Sequence, residues 1–422
     1  MRVLEAKELE KRRHKRAKKQ KTKRRKRSAA PFICLILAVY VVAALVVPLP
    51  ALQARMNEPK LPAAVTVSLP WPGYGQAAIG AVGYGLLAQN GEQKPLPMAS
   101  VAKVITALAV LKVHPIQPGT QGETMTITKQ DVATYNQYLA EGQSVVEVEV
   151  GEQLTEYQAL QALLLPSANN MADVLVRWAF GSAQDYLTFA NPFVDTLGLS
   201  NTQIADASGF SAQTASTAAD LAKLAEIAMN QPVIAEIVVQ PQADLPVAGT
   251  VYNVNYQLGS AGIVGIKTGN TDEAGGCYLF AAKRQLDASN SVTVVGAVMG
   301  APNLVIAMKD TLPLLDEAFK NFKVTKPVET NQIIGLVSQP GGSSVPIVAQ
   351  QGVAVVSWAA QTMRAEFSMA PLRAQVSAGD ELGTLTLHAG DMEYKVPLVA
   401  AEAIATRSAL WRLRHGGGYL KY

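Results

Sequence analysis

Histidine and cysteine are scarce in this chain of 422 residues. Two cysteines, Cys34 and Cys277, exclude a disulfide scaffold and a cysteine-rich zinc site. Four histidines (His14, His114, His388 and His415) leave little for a three-histidine metal centre or a Ser-His-Asp triad. Charge is sparse as well: 17% of residues are Asp, Glu, Lys or Arg against 49% hydrophobic, which excludes disorder over most of the length. The net charge of +4 is unevenly spread. Residues 1–27 hold fifteen Lys/Arg and three Glu, a local +12 that leaves the remaining 395 residues at −8. A mildly acidic body of that kind excludes a general nucleic-acid binder. At about 100–200 residues per domain, the length implies two or three domains.

No charge lies between Arg27 and Arg55. Within that stretch, 29–47 is an apolar run of nineteen residues, long enough to cross a hydrocarbon core as a helix. The basic block 11–27 directly precedes it. The positive-inside rule then expects a cytoplasmic N-terminus, a single-pass cell-membrane anchor over 28–52 and an extracytoplasmic remainder. A cleaved signal peptide fits less well, because the apolar run exceeds the usual 7–15 or so residues and Leu52 stands where a small residue is wanted. Cys34 lies inside the run and so cannot pair with Cys277.

Beyond a Pro-rich stretch over 48–75, apolar periodicity predicts strands over 63–68 and 76–88 and a helix over 101–113 that Pro115 ends. Short strands are expected over 124–128 and 144–150. Helices are expected over 155–165, 168–179 and 216–229, the last opened by capping Ser and Thr. Strands at hairpin spacing follow over 262–267, 277–282 and 292–298, then a helix over 311–322. After residue 323 the helical period disappears. Seven short strand patterns (333–337, 345–348, 353–358, 364–369, 372–376, 383–388 and 393–398) are divided by turn residues, as in a small all-β sandwich.

Three polar motifs interrupt this apolar background. In Ser100-Val101-Ala102-Lys103, a helix starting at the serine puts hydroxyl and amine on one face. A lysine whose pKa is lowered by burial or by a nearby cation can serve as base to such a serine, and the helix N-terminus adds a positive field. Lys103 sits in a run with almost no other polar residue, so it is either at a helix edge or buried. Pro166-Ser167-Ala168-Asn169-Asn170 joins two helical stretches; Ser167 is either an N-cap or a proton relay, and Asn169 could bond both a substrate amide and a lysine. Gly265-Ile266-Lys267-Thr268-Gly269 ends an apolar strand, and its glycines admit another backbone, so an extended substrate could add as a strand. Lys267 would attract a carboxylate, and Thr268 would donate to it.

Ser100, Ser167 and Lys267 occur in the order shared by class A β-lactamases and penicillin-binding proteins. From about Leu61 to Leu398 the chain resembles the D-alanyl-D-alanine carboxypeptidases, the low-molecular-weight penicillin-binding proteins of serine peptidase family S11. PMASVAKVITALAVL (97–111), LLLPSANNMADVLVRW (163–178), STAADLAKLA (216–225), NVNYQLGSAGIVGIKTGNTDEAGGC (253–277) and PLRAQVSAGDELGTLTL (371–387) carry the likeness. The last resembles the family's β-rich C-terminal domain, which argues against a plain β-lactamase. So does the absence of glutamate between Glu156 and Glu226, where class A enzymes keep the deacylating carboxylate.

The resemblance implies an α+β fold: a penicillin-binding/β-lactamase-like catalytic domain, with an antiparallel sheet, helices on both sides and an all-helical part, then the all-β sandwich. The expected division is a basic cytoplasmic tail (1–27), transmembrane helix (28–52), catalytic domain (53–322), β-sandwich domain (323–398) and basic tail (399–422). Residues 404–414 of that tail could form an amphipathic helix. By the same resemblance Ser100 attacks the bond between the last two D-alanines of a peptidoglycan stem peptide, Lys103 is the base and Ser167 passes the proton. Asn169 orients substrate and Lys103. Lys267, Thr268 and Gly269 hold the terminal carboxylate, and the N–H groups of Ser100 and Asn270 form the oxyanion hole. β-Lactams would acylate Ser100 as inhibitors, and neither metal nor cofactor is called for. The glycine-rich stretch 71–89 departs from the family's commoner form. Alternatives are a catalytically silent penicillin-binding sensor or scaffold, a D-alanyl endopeptidase and a β-lactamase.

Overall fold

The computed structural model describes residues 2–47, 51–339, 343–372 and 375–419, with the side chains of 2–7, 23–30 and 416–419 left out. At its centre is a five-stranded antiparallel sheet in the order Ile263–Thr271, Gly275–Gln285, Ser291–Ala301, Gln76–Ala81 and Gly85–Asn90. The central strands read as continuous apolar runs because both faces are covered. Leu279, Ala281 and Ala297 face a large helical core; Tyr278, Phe280 and Ala282 face a second core on the other side. The helix Ala218–Asn230 covers the first face, with Thr217 accepting from Asp220 N at 3.1 Å as its cap. Leu304–Lys320 covers the second face. It begins seven residues, about two turns, before the expected start, because Asn303 caps it by accepting from Ile306 N at 3.0 Å.

The helical part consists of Lys129–Ala140, Glu156–Leu164, Asn169–Phe180, Ala183–Thr196 and Pro232–Val238, packed around Ala102–Val113. That last helix is apolar on every side and is buried from Ala102 to Leu111, as an all-round apolar helix must be. The expected strand over 144–150 joins no ladder. The Asn170 side-chain amide takes the place of a partner strand, accepting from Val146 N at 3.0 Å and donating to Val146 O at 2.9 Å. The stretch 63–68 likewise forms no strand, although Val65 N donates to Ala359 O at 2.8 Å. The pattern over 76–88 resolves into two strands around a turn at Tyr84.

The C-terminal part is all-β. Its six-stranded sheet runs Gln53–Met56, Ile333–Ser338, Ser344–Ala349, Met392–Ala400, Glu381–Ala389, Arg364–Met369, and a ribbon of Phe322–Val328 with Val353–Trp358 packs beside it. Gln53–Met56 is a surprise: expected to lead into the catalytic part, it pairs instead as an edge strand, Ala54 opposite Val337 and Arg55 opposite Leu336. Of the stretch 372–376, residues 373 and 374 lie outside the described residues; among the described ones no strand forms, and Val376 only bridges Ile404. Tyr84 joins the two parts. Its hydroxyl donates to Val356 O at 3.1 Å, and its ring lies edge-on to Phe322 at 5.4 Å.

At the N-terminus one helix runs from Arg2 to Val46. The described part of its apolar run begins at Pro31, and residues 31–46 span about 24 Å at 1.5 Å per residue. Among the described residues no helix is long and apolar enough to cross a membrane. The side chains of Ala29 and Ala30, and Pro48, which begin and follow the expected span, lie outside the described residues. A C-terminal helix runs over Ala409–Tyr419, five residues later than the expected 404–414, because Ile404 is taken into a bridge with Val376; it packs on the N-terminal helix, with Tyr40 Oη donating to Leu413 O at 2.7 Å and Arg412 Nη1 to Leu45 O at 2.5 Å.

Candidate active site

Ser100 lies in a single 3-10 turn, Ala99–Val101, that runs directly into Ala102–Val113. The turn is anchored from behind: Met98 N donates to Thr214 O at 3.1 Å, and the strand Leu96–Pro97 pairs with Ala215–Ser216. Ala99 is held at φ +48°, a left-handed conformation that L residues avoid, at the position just before the nucleophile. One turn on, Lys103 is fully buried, and its Nζ lies 2.7 Å from Ser100 Oγ, 2.6 Å from Asn169 Oδ1 and 2.9 Å from Ser208 O. The spacing of three residues therefore does what the sequence suggests: it stacks amine on hydroxyl.

Burial is the main cause that pulls the Lys103 pKa far below its ordinary value, and the nearby charge of Lys267 lowers it further. Asp206 and Asp173 oppose this more weakly. Lys267 is equally buried; desolvation brings its pKa down from 10.5 to about 7. Its Nζ donates to Thr268 O at 3.1 Å.

The third motif is brought to the first by strand register. Lys267 stands opposite Leu279 and Gly269 opposite Cys277, so both project to the helical face of the sheet. Gly269 packs on the nucleophile turn so closely that a Cβ there would lie 3.0 Å from Met98 O and 3.1 Å from Ser100 N. A side chain there would require the nucleophile turn to give by a few tenths of an ångström. Thr268, opposite Tyr278, is buried next to Lys267. Asn270 is exposed, and its side-chain oxygen accepts from Leu304 N at 3.2 Å, which leaves its backbone N–H and its side-chain NH2 as donors for a substrate.

Ser167 is not the cap it resembles. Ala168 occupies the N-cap of Asn169–Phe180, and Ser167 is held at φ +69°. Among the described residues its hydroxyl has no hydrogen bond to Ser100 or Lys267. It is buried to 5% exposure two residues before Asn169, on backbone held in a conformation that L residues avoid. Cys277, at the back of the site, is buried and unpaired, its Sγ 3.7 Å from Pro97 O.

Sequence reasoning missed the loop 206–214. Asp206 accepts from Ser208 Oγ at 2.7 Å, Phe210 N at 2.9 Å and Thr214 Oγ1 at 2.5 Å, which presents the Ser208 carbonyl to Lys103. Gly209 allows the loop to touch the nucleophile turn, since a Cβ there would collide with Ala99 O. The available signal was Asp-Ala-Ser-Gly, a turn sequence amid helices. Gln143, whose side chain meets that of Asn169, gave no signal.

Comparison with known proteins agrees with this arrangement. Among curated relatives, the D-alanyl-D-alanine carboxypeptidase DacF of Bacillus subtilis is 23% identical over 75% of this chain and 82% of its own. DacA of Escherichia coli, of the same name, is 26% identical over 58% of this chain, which spans only 60% of that protein. Among solved structures, a peptidoglycan synthesis regulatory factor from Streptococcus pneumoniae superposes with a TM-score of 0.60 at 19% identity, covering 81% of this chain and all of its own. Penicillin binding protein 5 from Haemophilus influenzae gives 0.55 at 18%, over 81% and 98%. These structures share the fold, including its mixture of helix and sheet. The peptidase S11 pattern, described as D-alanyl-D-alanine carboxypeptidase, matches residues 80–303, just over half of the chain and the part that holds all three motifs. By sequence, fold and the convergence of Ser100, Lys103 and Lys267, this chain belongs to the D-alanyl-D-alanine carboxypeptidase family.

Proposed function

We propose that this chain is a serine-type D-Ala-D-Ala carboxypeptidase that removes the terminal D-alanine from peptidoglycan stem pentapeptides through an acyl-enzyme on Ser100. The observation that carries this reading is the set of partners around Lys103. A neutral amine has two N–H donors and one lone pair. Asn169 Oδ1 and Ser208 O can only accept, so they take the two donors. The lone pair is left for the Ser100 hydroxyl, which is what a general base requires.

In the proposed cycle Lys103 takes the proton as Ser100 Oγ attacks the penultimate carbonyl. The N–H groups of Ser100 and Asn270 stabilise the oxyanion. Ser167 passes a proton to the departing D-alanine, and Lys267 with Thr268 binds the terminal carboxylate against Gly269. Water then releases the shortened peptide, with Lys103 again as base. β-Lactams enter the same path and stop at the acyl-enzyme. The basic segment 1–27 and the apolar run after it support a membrane anchor, with the N-terminus in the cytoplasm and the catalytic part outside.

The test is release of free D-alanine from a stem pentapeptide by the full chain in detergent, together with covalent labelling by penicillin. Ser100→Ala is expected to abolish both. Labelling that persists in Ser100→Ala would place the nucleophile elsewhere. Wild-type chain that is labelled but releases no D-alanine would make it a silent binder.

A further inference from the structure

The base in the proposed reaction depends on the direction of one amide. If the Asn169 side chain were turned over, its NH2 would face Lys103 and could donate to the amine's lone pair, in competition with Ser100. Asn169 Nδ2 is instead committed elsewhere, donating to Gln143 Oε1 at 2.5 Å. Gln143 Nε2 donates in turn to Glu141 Oε2 at 2.7 Å. The other oxygen of Glu141 accepts from Gln137 Nε2 at 2.9 Å. A carboxylate only accepts, so it sets the direction of the whole chain of amides. Turning over Asn169 alone would set its oxygen against Gln143 Oε1. Turning over both would set Gln143 Oε1 against the Glu141 carboxylate.

The backbone holds Gln143 in place. Its N–H donates to Tyr138 O at 2.9 Å, at the end of Lys129–Ala140, and Gly142 takes φ +72° to make the turn. On the other side Asn169 N donates to Ser144 O at 2.7 Å, and the Asn170 amide brackets Val146. Neither Glu141 nor Gln143 belongs to the three motifs.

We propose that Gln143, directed by Glu141, is a positioning residue for acylation: it holds the Asn169 oxygen toward Lys103, so that the lone pair of the base points at Ser100. This rests on the function proposed above. The charged groups that face Lys103 are Lys267 from its strand, Asp206 from its loop and Asp173 from the helix Asn169–Phe180. All are left in place by the test.

The experiment measures the rate of acylation by a fluorescent penicillin as a function of pH, with the full chain in detergent. Gln143→Leu, of similar size but without the acceptor, is expected to lower the plateau roughly tenfold, the scale of one lost hydrogen bond. Its acid limb should move to lower pH, because the Lys103 ammonium loses an acceptor. The double variant Glu141→Gln with Gln143→Glu swaps donor and carboxylate but keeps an acceptor toward Asn169. It is expected to restore the plateau, with an acid limb at or above the wild-type pH, because the carboxylate now lies nearer Lys103. A Leu variant with the wild-type rate and profile overturns the proposal, as does a double variant as slow as the Leu variant. Should the Leu variant fail to fold, Gln143→Ala takes its place under the same criteria. Wild-type chain that is never acylated at Ser100 would instead reject the underlying function, and this proposal with it.

Discussion

Replacing Lys267 by methionine removes a buried ammonium at nearly constant volume, and we expect the protein to become more stable and less active. Burial lowers the Lys267 pKa from 10.5 to about 7. The folded state therefore binds fewer protons than the unfolded state between these values, and stability rises with pH across that window. As pH falls from 10.5 the unfolded chain takes up a proton that the folded chain refuses; below about 7 the penalty is constant. At pH 7 the cost is on the order of 4 kcal/mol, since each pH step of one between the two values is worth about 1.4 kcal/mol. Loss of the bond to Thr268 O, 3.1 Å long, returns about 1 kcal/mol. The net gain at pH 7 is about 3 kcal/mol, shrinking to nothing or slightly below near pH 10.5. Denaturant midpoints of the two chains at both pH values measure it. Hydrolysis of a free-acid peptide should fall sharply in the variant, and that of its amide much less. A variant that is less stable at pH 7, or a gain that is the same at both pH values, would refute the reasoning.

Gly269→Ala brings a methyl to 3.0 Å from Met98 O and 3.1 Å from Ser100 N; displacement of the nucleophile turn should slow penicillin acylation about 100-fold, with little change in the thermal midpoint. Glu156 is buried, and burial, then Glu123, raises its pKa from 4.5 to about 7. Its folded state is the better proton binder, so stability is lost as pH rises from 4.5 through about 7, and Glu156→Gln should flatten the thermal midpoint across that window. Phe280→Ala, deleting a fully buried ring that faces the second core, should cost about 3–5 kcal/mol by denaturant unfolding.

The parts of the site that were legible in the sequence are those whose geometry is local. Ser100 and Lys103 are bonded because a helical turn stacks residues three apart, and the burial of Lys103 follows from the apolar run around it. Lys267 and Gly269 could be read as a strand end, but their approach to Ser100 is a matter of sheet register. The Ser208 carbonyl and the Gln143 amide were not legible, since each reaches the site through a loop whose path is fixed by distant residues: Asp206 and Thr214 for one, Tyr138 and Asn169 for the other. Between cap and proton relay, Ser167 could not be decided from its residue type, because a serine before a helix resembles a cap until its φ is known. In the fold, the alternation of the β part was readable, whereas the pairing of Gln53–Met56 with a strand nearly three hundred residues later was not.

That pairing governs how movement arriving from the N-terminal side is shared out. Gln53–Met56 is stitched to Ile333–Ser338, while the strand bearing Lys267 lies in the other sheet, reached through Phe322 and Tyr84. A pull on the segment before Gln53 therefore meets the ladder with Ile333–Ser338 first, in a different sheet from the strand that bears Lys267, so Ser100, Lys103 and Asn169 lie off the direct line of that force.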